Sequence, residues 1–295
     1  MKTSSPHGTG FSPPGTAESS WIGVWCANQV LISPPYPPPP LSGKLLWLDA
    51  NDINGNGQPN TEANGSKIAL WVDKSGNENN VTQTTEAYQP TYKTNAQNGL
   101  STLFFDASDD AMATGINLAR PYTILAVFNN LDSGGEDRQA VAGSGNFILG
   151  AWDGKIGFFR DDWISKTVTR VKSTYYVAVA QSDSSTSAFF LDGTNRTTNS
   201  TPRGSPSTIY LGRGGQHNKP LNGHIGEVLI FDRFLNEVDR SRMEWYLGQK
   251  WGIFGPSPSG VGVYANDSGT TDSGKEYLLG KMNLRVATQA EKTRA

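Results

Sequence analysis

From Leu45 to Ile253 the chain alternates between short apolar runs and polar breaks: KLLWLDA, KIALWVD, STLFFDAS, YTILAVFNN, QAVAGSG, FILGAWDG, KIGFFRDD, YYVAVAQSD, TSAFFLDGT, STIYLGRGG and HIGEVLIFDRFL. Nearly all are bounded by Gly, Asn, Asp or Ser, so they predict strands joined by turns, and their number and spacing predict an all-β, antiparallel β-sandwich of the jelly-roll kind. Two hairpins are marked by Asp-Gly between apolar runs, in AWDGKIGFF and FFLDGTNR. One segment has helical periodicity instead. Asn236 is its N-cap, Glu237 and Asp239 suit its first turn, Val238, Met243, Tyr246, Leu247 and Trp251 form one face, and Gly252 ends it.

Outside this region the pattern changes. Residues 1–20 are polar and rich in Pro, Gly and Ser, and SPPYPPPP at 33–40 predicts a stiff polyproline II spacer. Between them lies WIGVWCANQVLI, whose Trp21, Ile22, Val24, Trp25, Val30, Leu31 and Ile32 are too apolar for a free tail. Two readings fit this segment: a strand folded back on the domain, or an anchor that docks into a partner's groove or sheet edge. The rigid spacer favours the anchor, because it holds its neighbour away from the domain. The expected organisation is an anchoring arm at 1–40, a jelly-roll domain at 41–254, and a linker and tail at 255–295.

Composition narrows the partners. The net charge of −2 and the absence of any Lys/Arg run argue against nucleic acid, whose binding needs a clustered basic face. Gly 33 and Pro 17, with only 18% charged residues, agree with short strands and frequent turns. The single Cys26 excludes an intramolecular disulfide. No stretch is long enough to cross a bilayer, and the first residues carry no apolar core of a secretory signal. The Asn-x-Ser/Thr triplets at Asn80 and Asn195 are then chance products of an Asn/Thr-rich chain.

LLWLDANDINGNGQPN, IALWVDKSGNENNVTQ, QPTYKTNAQNGLSTLFFDASDDAM, FFLDGTNR and LNGHIGEVLIFDRFLNEVDRSRMEWYLGQKWG occur together and in order over residues 45–253. In this they resemble the laminin-G-like, concanavalin A-like jelly-roll domains common in bacterial and phage surface proteins. The resemblance implies the fold. It does not by itself imply an activity, because that fold hosts lectins, hydrolases and structural modules.

Little in the chain points to catalysis. Glycosidases need two carboxylates flanking the scissile bond, and hydrolases of this fold place them on one strand in an alternating acidic motif. The matching strand here reads GEVLIFD, with Glu227 and Asp232 on opposite faces of an ideal strand. Asp106, Asp109 and Asp110 read as a polar turn after a core strand, and Asp161 and Asp162 beside Arg160 as a solvated loop with a local ion pair. His7, His217 and His224 are scattered, without zinc-type spacing, and no Gly-x-Ser-x-Gly elbow is present.

Two other features are candidate sites. In DINGNGQPNTE the oxygens of Asp52, Asn54, Asn56 and Gln58 follow the spacing of a calcium loop, with Gly57 at the turn and Asn60 at the ninth position. The twelfth position is Ala63 where such loops carry a bidentate Glu, so Glu62, Asp49 or Asp73 would have to substitute. The competing reading is a hairpin whose amides cap their own backbone. For ligand recognition, Trp152 and Trp163 flank DGKIGFFRDD, and GRGGQHNKP offers Arg213, Gln216 and His217; aromatic faces beside amides suit sugar rings. The other reading is that Trp47, Trp71 and Trp152 are core or rim packing in alternating strands.

Together these features predict a non-enzymatic structural or adhesive protein of a larger assembly. The expected setting is a virion, as a capsid-decoration, fibre or tail component, oligomeric in the assembly and anchored to other structural proteins through its arm. Cell-surface polysaccharide is a further expected partner. The alternatives are a soluble carbohydrate-binding lectin and, third, a glycoside hydrolase of the same fold.

Overall fold

The computed structural model describes residues 40–144, 146–213 and 219–254. In chain order its strands are β1 (Lys44–Asp49), β2 (Leu70–Trp71), β3 (Val81–Thr82), β4 (Thr91–Gln97), β5 (Leu100–Asp106), β6 (Met112–Leu118), β7 (Tyr122–Asn129) and β8 (Arg138–Gly143). There follow β9 (Phe147–Trp152), β10 (Lys155–Arg160), β11 (Trp163–Thr169), β12 (Tyr175–Ser182), β13 (Ser187–Leu191), β14 (Thr194–Asn195), β15 (Ser207–Leu211), β16 (Asn222–Phe231) and the helix α1 (Glu237–Lys250).

The strands form two sheets, paired antiparallel throughout. The first runs β14-β13-β12-β7-β16-β5-β4, with β1 also on β16, and the second runs β11-β10-β9-β8-β15-β6-β3-β2. β16 is long enough to serve two neighbours in succession: Asn222 to Ile225 pair with β5, and Glu227 to Phe231 pair with β1. Between the two stretches its register against β7 slips at Gly226. Such a bulge turns the next side chain to the other face, which here is Glu227.

Between the sheets lies the main core, with Leu46, Leu48, Phe105, Ile124, Ala126, Phe128, Leu149, Phe158, Val228 and Ile230 among its members. A second apolar cluster covers the outer face of the first sheet. There Leu125, Val127, Val177, Val179, Leu229 and Phe231 meet Met243, Tyr246, Leu247 and Trp251 of the helical segment. β7 and β12 are therefore buried at every position, and this explains why YTILAVFN and YYVAVAQS read as continuous rather than alternating runs.

The helix starts as the sequence predicts, with the Asn236 side chain accepting a hydrogen bond from the Asp239 N–H at 2.9 Å, and ends before Gly252 at φ +63. One face residue is corrected. Val238 is 48% exposed, because the buried stripe runs through Arg240, Met243, Glu244 and Leu247 instead. Arg240 fits there by laying its guanidinium 3.7 Å from the Phe190 ring centre while its charge meets Glu244. Both Asp-Gly hairpins form, with positive φ at Asp153, Gly154, Asp192 and Gly193. KIALWVD contributes only the two-residue β2.

Candidate functional site

The calcium-like loop lies between β1 and β2. The Asp52 carboxylate accepts hydrogen bonds from the Asn56 and Gly57 N–H groups at 3.1 Å each and pairs with the Lys74 ammonium at 2.7 Å. Asn54 donates to Glu62 at 3.1 Å, and the Asn56 side-chain oxygen accepts the Gln58 N–H at 2.9 Å. Asn60 accepts the Ile53 N–H at 2.7 Å and donates to the Ala50 carbonyl. Protein donors thus engage the Asp52 and Asn56 oxygens, and the Lys74 ammonium lies beside Asp52. These are backbone-capping contacts of the kind an Asx- and Gly-rich hairpin makes. Of the proposed substitutes, Asp49 faces Lys74 and Lys250, while Asp73 accepts from the Trp47, Ser75 and Asn79 N–H groups.

The acidic turn after β5 brings Asp106, Asp109 and Asp110 within 4.8 Å of one another. Asp110 ties the turn by accepting the Asp106 N–H at 3.1 Å and facing Lys67 at 3.4 Å. Burial and the neighbouring Asp106 push its carboxyl up to about 6. Arg160 pairs with Asp161 at 2.7 Å and Arg203 with Asp162 at 2.9 Å, so FFRDDW is the ion-paired loop its sequence predicts.

Glu227 is fully buried on the helix side of the first sheet. Its two oxygens accept from Trp47 Nε1 at 2.8 Å, the Tyr246 hydroxyl at 2.9 Å, Lys250 Nζ at 2.7 Å and Trp251 Nε1 at 2.8 Å. Lys250 also pairs with Asp49 at 2.7 Å. Burial alone would lower the Lys250 ammonium, but the Glu227 and Asp49 carboxylates together hold it above its ordinary value. This cluster pins β1, β16 and α1 together. Its carboxylates are saturated with donors and closed to solvent, so it cannot flank a glycosidic bond. The exposed Asp232 stands apart from it.

On the second sheet the outward aromatic rings are half-buried. Phe147, Leu149 and Ala151 of β9 and Ile156 and Phe158 of β10 point into the core, so by alternation Trp152, Gly157 and Phe159 face outward. Gly150 and Gly157 stand directly opposite each other in the ladder, and both are buried. Trp163, opposite Phe159 on β11, packs over Gly157; a Cβ there would come within 2.9 Å of its ring. The Trp152 and Trp163 rings lie 6.2 Å apart with an interplanar angle of 56°, and Phe159 adds a third ring 5.1 Å from Trp163. Lys166 Nζ sits 5.0 Å from the Trp163 ring centre and Lys219 Nζ 5.9 Å from that of Trp152.

Two of the five residues singled out in the sequence for ligand binding are therefore neighbours in space. Arg213 follows β15 and is half-buried. Gln216 and His217 lie outside the described residues, although the chain re-emerges at Lys219, which exchanges backbone and side-chain hydrogen bonds with Gln139 of β8. The arm residues Trp21, Ile22, Val24, Trp25, Val30, Leu31 and Ile32 also lie outside the described residues, as does the tail at 255–295. Sequence reasoning missed Lys166, Lys219 and Phe159; the isolated glycines 150 and 157 within apolar runs were the available signal, since they mark a close approach in a strand.

Residues 105–239 match the family model of the concanavalin A-like lectin/glucanases superfamily. Among curated proteins no sequence matches the chain. Similar solved structures include a Trypanosoma rangeli sialidase at 13% identity and a TM-score of 0.47, covering 72% of this chain and 33% of that one. This chain thus spans about a third of the sialidase. Another is domain 4 of AbnA, a GH43 extracellular arabinanase from Geobacillus stearothermophilus, in complex with arabinotriose, at 12% identity and a TM-score of 0.47, covering 62% of this chain and 99% of that one. A GH54 α-L-arabinofuranosidase shows 15% identity and a TM-score of 0.46, with 61% and 50% covered. Likeness at this distance carries no argument about activity. Among the described residues no helix is long and apolar enough to cross a membrane.

Proposed function

We propose that the domain is a non-enzymatic adhesive module that binds polysaccharide on the outer face of its second sheet. The observation that carries this reading is the Trp152–Trp163 pair at 6.2 Å, with Trp163 packed over Gly157 and a lysine beside each ring. Indole faces stack on the apolar C–H faces of sugar rings, and a row of half-buried rings along the sheet suits a chain rather than an enclosed monosaccharide. Among the described residues, the carboxylates described above serve as turn caps or buried ion-pair partners, which supports binding without hydrolysis. The arm at 1–40 gives the module a means of display, through the apolar residues 21–32, on a larger assembly such as a virion.

A glycan array probed at micromolar protein, with calcium present, tests the binding. Hits that disappear in Trp152→Ala are the expected result, and an array without hits overturns the reading. Incubation of a bound polysaccharide with the protein should release no new reducing ends. Deleting residues 1–40 should abolish attachment to the assembly while leaving glycan binding intact.

A further inference from the structure

We infer that the ligand of this face is an acidic polysaccharide, one whose sugars carry carboxylates. The inference rests on the proposed glycan site and names its ligand class. Its starting point is the set of charges around the two indoles. Lys166 and Lys219 hold their ammonium groups over the Trp163 and Trp152 rings, and Lys155 stands directly opposite Trp152 in the ladder, on the same face and exposed. Two carboxylates accompany them, Asp153 at 3.7 Å from Lys166 and Asp137 at 3.7 Å from Lys219. The local balance is thus three lysines to two aspartates. Both ion pairs are long, and Asp153 is 73% exposed at its side chain, so neither aspartate holds its lysine firmly.

Any sugar that stacks on the outward faces of these indoles must move the ammonium groups that cover them. A neutral sugar forfeits both cation–π contacts and returns nothing to the lysines. A sugar with a carboxylate lets each displaced ammonium swing onto the ligand, replacing the lost contact with a charge-assisted hydrogen bond. The same geometry that lets an acidic chain bind therefore disfavours a neutral one, and this is specificity by displacement. Lysine suits the role because its long stem lets one ammonium serve both positions.

The test uses the full chain and matched probes: polygalacturonate, alginate and hyaluronate, each beside its methyl-esterified, uncharged form, with binding measured by affinity electrophoresis and calorimetry. At least one acidic polymer is expected to bind about tenfold or more tighter than its ester, and to weaken as salt is raised. Lys166→Gln and Lys219→Gln should each cost about three- to fivefold toward the acidic polymer, the range of an exposed ion pair, while leaving the ester unaffected or bound more tightly. Trp152→Ala should remove binding of both forms. Equal affinity for acid and ester, or lysine variants without effect, overturns the acidic assignment and leaves glycan binding standing. Acidic binding that survives Trp152→Ala also overturns it, since simple charge attraction would then suffice. If none of the three acidic polymers binds while neutral glycans on an array do, the assignment fails alone; if nothing binds at all, the proposed function fails with it.

Discussion

Replacing Glu227 by Gln keeps the side chain's shape and removes one of its two acceptor oxygens. In the native protein each oxygen serves two donors, Trp47 Nε1 and the Tyr246 hydroxyl on one, Lys250 Nζ and Trp251 Nε1 on the other. An amide can orient its oxygen toward only one pair, and its NH₂ then points at two donors. If the oxygen turns to Lys250 and Trp251, the Trp47 and Tyr246 donors are orphaned, at roughly 1–3 kcal/mol for each buried donor. Turned the other way, it leaves the ammonium with Asp49 alone, and breaking a buried ion pair costs about 3–5 kcal/mol. Because Asp49 still contacts Lys250 at 2.7 Å, the expected loss is about 3–4 kcal/mol. With a urea m-value of about 2–3 kcal/mol/M, the unfolding midpoint should fall by about 1–2 M at unchanged slope. A loss under about 1 kcal/mol would refute the reasoning, for it would mean that the four donors find partners without the carboxylate. Lys250→Met provides the second arm of a double-mutant cycle, in which the two losses should fall short of adding by 1 kcal/mol or more.

Burial pushes the Glu244 carboxyl up to about 7, so the folded state holds that proton more tightly than the unfolded chain and stability falls as pH rises from about 4.5 to about 7. Glu244→Gln cannot titrate; its stability relative to the parent should improve by about 2–3 kcal/mol between pH 5 and pH 8, and a pH-independent difference in urea midpoint would contradict the shift. The comparison must be with the parent, because His224, lowered to about 4 by burial, works in the opposite sense and loses stability as pH falls from about 6.5 to about 4. Gly226→Ala should destabilise by about 2–3 kcal/mol, since the new Cβ would meet the buried Trp251 ring at 2.6 Å; a neutral result in thermal melts would mean that the bulge yields. Because Lys74 already balances Asp52, 1 mM calcium against EGTA should leave the melting temperature unchanged within about 1 °C, whereas binding with a Kd near 10 μM would add about 2.7 kcal/mol and move it by several degrees.

The fold was legible where a strand is buried on one or both faces by apolar side chains, as in β7, β12 and β16. It was not legible in β6, where Met112, Thr114, Ile116 and Leu118 alternate inward with a threonine in the series, nor in β4, whose TYKTNAQ is an edge strand with mostly polar side chains. In such strands pairing rather than composition decides the structure. The helix stripe misled at Val238 because pattern reading assigns Arg and Glu to solvent, whereas Arg240 and Glu244 neutralise each other in a buried position. Glu227 shows the same limit at the candidate-site level. Ideal alternation predicted its face relative to Asp232, but its four partners come from β1, α1 and the residue after the helix, and a single sequence carries no trace of such convergence.

The two sheets differ in what they can offer a ligand. Over β7, β12 and the second half of β16 the first sheet is sealed by the helix, and its apolar residues are spent on the second cluster. Strands sealed on both faces need apolar residues at every position. On the outer side of β9 and β10, FILGAW and KIGFF place glycine opposite glycine, with Ile148 and both glycines buried, and the neighbouring half-buried rings come from Trp152, Phe159 and Trp163. The half-buried indoles there lie beside the Lys166 and Lys219 ammonium groups, and this is the surface on which the proposed polysaccharide would rest.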